Sequence, residues 1–143
     1  MPGQAVSNTH PSTRYLIGLP TAIGLGLASV CLAVVILGIP PNPEGMFPYI
    51  FAEFSWLTLI LLFASGIMLG LIFCINPLHP LVLGFATMAA FPVLAFVEMA
   101  QNPYSHNLFP IEFAMYGLVS LFAVGGAYAG RALRQTAYRR WRS

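Results

Sequence analysis

Residues 15–38, YLIGLPTAIGLGLASVCLAVVILG, carry no charged side chain, and as an α-helix rising about 1.5 Å per residue they reach roughly 36 Å, enough to cross a hydrocarbon core of about 30 Å. This stretch identifies the solvent as a bilayer. Arg14 stands just ahead of it, as in a secretory signal. However, the apolar run exceeds a signal core of about 7–15 residues, no small-x-small exit site follows, and Val30 before Cys31 makes a poor lipoprotein box. The expectation is a retained first helix, bent at Pro20, preceded by a disordered tail over residues 1–14.

The rest of the chain agrees. Of its 143 residues 58% are hydrophobic and 7% charged, too little charge to coat a water-soluble globule of one domain. Three more apolar stretches follow. Residues 39–46, IPPNPEGM, are crowded with helix breakers and form a first loop. A second span covers residues 47–74, with Tyr49 and Trp56 suited to the headgroup boundary. Residues 75–80, INPLHP, make a tight second loop. The third span covers residues 81–100, with Pro92 as its kink, and the fourth covers residues 110–133 after a loop at 101–109. The fold class is therefore an all-α integral membrane protein, a bundle of four transmembrane helices.

Four crossings put both termini on one side. Lysine is absent, and the six arginines are Arg14 and a C-terminal group, Arg131, Arg134, Arg139, Arg140 and Arg142. The positive-inside bias places both termini in the cytoplasm, and a bacterial inner membrane is the expected location. Residues 134–143 form a basic interfacial tail, in which Arg131, Arg134, Arg139, Arg140, Trp141 and Arg142 meet lipid headgroups. Membrane lipids are thus expected partners, and nucleic acid is not.

The four acids fall at the other face. Glu44 belongs to the first loop, Glu53 to the outer start of span two, Glu98 to the outer end of span three and Glu112 to the outer start of span four. Glu112 lies in a first helical turn, where the dipole and free N–H groups stabilise a negative charge by about 0.3–1 kcal/mol. Glu53 is expected roughly 9 Å into its helix, too deep for capping. Glu98 is least explained by capping, because a carboxylate in a last turn faces the negative dipole end. Charged groups at membrane depth commonly mark ion paths or proton relays. Glu53, Glu98, His106 and Glu112 are accordingly the candidate cation- or proton-binding residues. Glu98, His106 and Glu112 could also hold a divalent metal such as zinc, manganese or iron, although no HExxH or Glu-x-x-His pattern supports it.

Other chemistries lack their residues. All three histidines fall in the tail or loops, which disfavours haem between helices, and Met68 and Met88 read as packing. No lysine exists for a Schiff base, and no glycine-rich phosphate loop for a nucleotide. Cys31 and Cys74 read as buried small hydrophobes. Size and span count are similar to those of small multidrug transporters and small anion channels, but the acid typical of the former in span one is missing, so the likeness assigns no function.

Small residues at four-residue spacing, Gly66 and Gly70, Gly126 and Gly130, and Gly24 and Ala28, are expected to let helices approach closely, within one subunit or across a homo-oligomer. Three functions remain. The chain binds or conducts a cation or protons, it is a structural or accessory subunit of a larger membrane complex, or it is a metal-dependent membrane enzyme.

Overall fold

A computed structural model describes residues 11–39, 55–73, 79–101 and 109–141 of the chain. Among these residues the protein is all-helical, with α1 (Pro11–Leu37), α2 (Trp56–Phe73), α3 (Pro80–Ala86), α4 (Ala90–Gln101) and α5 (Phe109–Arg140). Four segments are long and apolar enough to cross a membrane, α3 and α4 together making one of them. Large apolar side chains cover the outside: Val35 is 75%, Val93 61% and Ile111 59% exposed. A surface of this kind suits lipid tails and not water.

With no hydrophobic effect to drive helices together in lipid, close backbone packing has to hold them. The α2–α5 seam does this through two reciprocal glycine pairs. A Cβ on Gly66 would overlap the Ala123 carbonyl, one on Gly70 the Ala127 carbonyl, one on Gly126 the Phe63 carbonyl and one on Gly130 the Ile67 carbonyl. The spacings read from the sequence therefore act within one chain. In α1 the outcome differs. Gly24 has open space where its Cβ would stand, and the close approach belongs to Gly26, packed on the Thr87 carbonyl. Two residues further along α1 swing the helix face by about 200°. Gly24, Ala28 and Cys31 consequently face outward, so Cys31 is exposed rather than buried; Cys74 lies outside the described residues.

Two apolar clusters fill the interior. Val30, Leu62, Met88, Phe91, Tyr116, Val119 and Ala123 form one, and Ala22, Leu69, Leu83 and Ala86 the other. Met88 is thus packing, as expected. Between α1 and α2 the hydroxyls of Ser29 and Ser65 lie 2.9 Å apart, a polar contact of the kind that contributes about 1 kcal/mol between helices in lipid.

The third span breaks one turn before Pro92. Its pyrrolidine ring would clash with the Met88 carbonyl four residues back. Instead the N–H of Phe91 donates to Met88 at 3.2 Å, and those of Thr87, Met88 and Ala89 each donate three residues back. The Thr87 hydroxyl donates to the Gly84 carbonyl at 2.7 Å in the same bend.

Side chains close the helix ends. Ser55 caps α2, its hydroxyl accepting from the N–H of Thr58 at 3.1 Å. The described α2 begins at Trp56, and residues 47–54 of the expected second span, Glu53 among them, lie outside the described residues. At the opposite end, Arg134 Nη1 donates to the carbonyls of Leu71 at 2.8 Å and Ile72 at 3.3 Å. This arginine, expected against lipid, satisfies two of the last carbonyls of α2. α1 starts at Pro11, four residues ahead of the expected span.

His79 caps α3. Its backbone is extended, Pro80 follows at the first helical position, and Nδ1 accepts from the Leu81 N–H at 3.3 Å. Its ring also meets Tyr128 edge-on at 5.8 Å. His79→Ala is expected to cost about 0.5–2 kcal/mol, and His79→Asn much less, because a side-chain acceptor is retained. Thermal unfolding of both variants in detergent checks the order.

Candidate functional site

One face of α4 carries Phe91, Ala95 and Glu98, all buried, at the i, i+4, i+7 spacing of a helical stripe. On α5 the corresponding stripe is Glu112, Tyr116, Val119 and Ala123. Phe91 and Tyr116 meet with ring centroids 5.7 Å apart, and Phe96 and Phe113 at 5.1 Å. As 91 pairs with 116 and 96 with 113, the helices run antiparallel, and Glu98 comes level with Glu112 to within about one turn. Both carboxylates continue stripes that face the protein interior, with Glu98 8% and Glu112 5% exposed. Each has an interaction partner.

A third helix adds hydroxyls to this layer. In the α2–α5 seam Gly66 lies opposite Ala123 and Gly70 opposite Ala127, so the two helices run parallel and Ser55 falls level with Glu112. Thr58 is fully buried there, its hydroxyl 2.7 Å from that of Ser55. The sequence reading passed over Ser55, Thr58 and Tyr116. The four-residue interval from Glu112 to Tyr116, which sets both on one helix face, was the available signal for the last of these.

Electrostatically the two ends of the molecule are opposed. Glu112 lies in the first turn of α5 and gains from its dipole, whereas Glu98 lies one turn from the end of α4 and does not. The arginines of α5, Arg131, Arg134, Arg139 and Arg140, all lie toward the other end of that helix. Buried carboxylates can accept hydrogen bonds or coordinate a cation.

Of the four candidate residues, the structure brings Glu98 and Glu112 to one end, while Glu53 and His106 lie outside the described residues. Among the described residues no group of three or more His, Cys, Asp or Glu side chains gathers into a metal site. A metal held by Glu98, His106 and Glu112 would depend on a residue beyond them. Comparison with protein-family models, with curated proteins and with solved structures finds no match to this chain.

Proposed function

We propose that the chain is a cation- or proton-binding protein of a bacterial inner membrane, with both termini cytoplasmic and its binding residues, Glu98 and Glu112, at the outer end of the bundle. The orientation rests on the positive-inside bias of the terminal arginines. The observation that carries the functional reading is the burial of two carboxylates on facing stripes, level with one another at the end of the bundle opposite the α5 arginines. Carboxylates at membrane depth commonly mark ion paths or proton relays. A chain of this length offers little room for a complete path across the membrane, so conduction would require an oligomer.

The test is flux in reconstituted vesicles together with binding to the purified protein. Wild-type chain should bind protons or a cation in a way that Glu98→Gln abolishes. Binding that is absent from wild type, or unchanged in Glu98→Gln, removes the proposal.

A second reading, an accessory subunit of a larger membrane complex, draws on the outward face of α1. Gly24 and Ala28 lie exposed there at the spacing that permits close helix approach. Gentle extraction followed by native mass measurement distinguishes a homo-oligomer from a subunit of something else. Under the accessory reading Gly24→Leu should release the chain from its complex without unfolding it.

A further inference from the structure

The end of α5 beyond the bundle has chemistry of its own. From Phe113 to Gly130 the helix carries no charge, and Glu112 and Arg131 are separated by about 28 Å of helix, close to the thickness of a hydrocarbon core. Arg131 therefore falls at the hydrocarbon edge. The helix continues through Arg140, roughly 13 Å further, across the depth of the headgroup layer. Every residue from Gln135 to Trp141 is exposed, with Tyr138 at 60% and Trp141 at 93%. No acidic residue follows Glu112 in the sequence.

The arrangement of the charges narrows the partner. At about 100° per residue, Arg139, Arg140 and Arg134 lie near 80°, 180° and 300° from Arg131 around the helix. They form a collar, whereas a helix docked in a protein groove presents one face at i, i+4 spacing. A collar at headgroup depth meets lipid on every side. Each of its cations is a guanidinium, which can grip a phosphate through two N–H groups where an ammonium acts as a point charge. Arg134 donates to the α2 carbonyls, and Arg139 and Arg140 are the exposed members further along the helix.

We propose that this collar is a binding site for anionic glycerophospholipid, whose phosphate Arg139 and Arg140 grip in preference to that of a zwitterionic lipid because no headgroup ammonium neutralises its charge. It is independent of the carboxylate end. The alternative role for these arginines, an orientation signal used during insertion, requires no lipid preference once the protein is folded.

Purified full-length protein in detergent, titrated with an equimolar mixture of phosphatidylglycerol and phosphatidylcholine, should retain the former over the latter by at least about fivefold in native mass spectra. Arg139→Gln/Arg140→Gln should bring the ratio close to one while leaving the unfolding temperature unchanged, because both side chains lie outside the bundle. Arg139→Lys/Arg140→Lys should keep part of the preference, and inorganic phosphate should not displace the lipid. A wild-type ratio near one overturns the proposal, as does a preference that persists in the glutamine variant or lipid released by inorganic phosphate.

Discussion

Gly126→Leu is expected to destabilise the protein by at least about 3 kcal/mol, enough to abolish a monodisperse folded species in mild detergent. The reason lies in what a side chain at 126 would meet. Its Cβ would fall on the Phe63 carbonyl and press against the Ile67 nitrogen, and backbone atoms of a packed helix have no rotamer by which to yield. Separating α2 from α5 would also undo the contacts at Gly66, Gly70 and Gly130, and lipid would not replace their lost dispersion energy in a specific geometry. Gly117→Ala supplies the control. Gly117 lies on the same helix with open space at its Cβ position, so alanine should be neutral or stabilising by up to about 1 kcal/mol through helix propensity. Size-exclusion profiles and thermal melts of the two variants check the pair. A folded Gly126→Leu would mean that the seam does not hold α2 to α5.

The same seam shows what was legible in the sequence and why. Gly66, Gly70, Gly126 and Gly130 declare themselves because glycine at four-residue spacing has one common use in an apolar helix, and the four spans declare themselves through length and lack of charge. Gly24 and Ala28 have the same spacing yet lie exposed, with open space at the Cβ position of Gly24. Which face of α1 turns inward depends on the bend at Thr87 to Ala89, where Gly26 fits, and no local pattern encodes that neighbour. Arg134 was hidden for a related reason. Composition places an arginine near lipid, whereas its partners, the carbonyls of Leu71 and Ile72, are set by the parallel register of two distant helices. Pro92 foretold a break, and the break falls in the preceding turn, where the proline ring would collide. At the site, the placement of Glu98 and Glu112 toward one end of the bundle was legible. Their common inward orientation was not, since it follows from the pairing of Phe91 with Tyr116 and Phe96 with Phe113.

Replacing either buried carboxylate by its neutral amide tests the energetic core of the proposed function. In protein stripped of cations, Glu98→Gln is expected to be better tolerated than Glu112→Gln, because the amide keeps the side chain's size while relieving an unfavourable meeting with the C-terminal dipole of α4. Glu112→Gln keeps the size as well. It forfeits about 0.3–1 kcal/mol of favourable dipole interaction at the start of α5, so it should be the less stable of the two. The order of the two variants is therefore predicted. Ligand supplies the opposing half of the prediction. A cation bound at a hundred times its dissociation constant stabilises wild type by about 2.7 kcal/mol, and neither variant should show that increment. Thermal melts with and without the cation, taken on the same three proteins, read both effects. If both variants are less stable than wild type and no cation shifts any of them, the two glutamates are hydrogen-bonding elements of the bundle end, and packing is then their whole role.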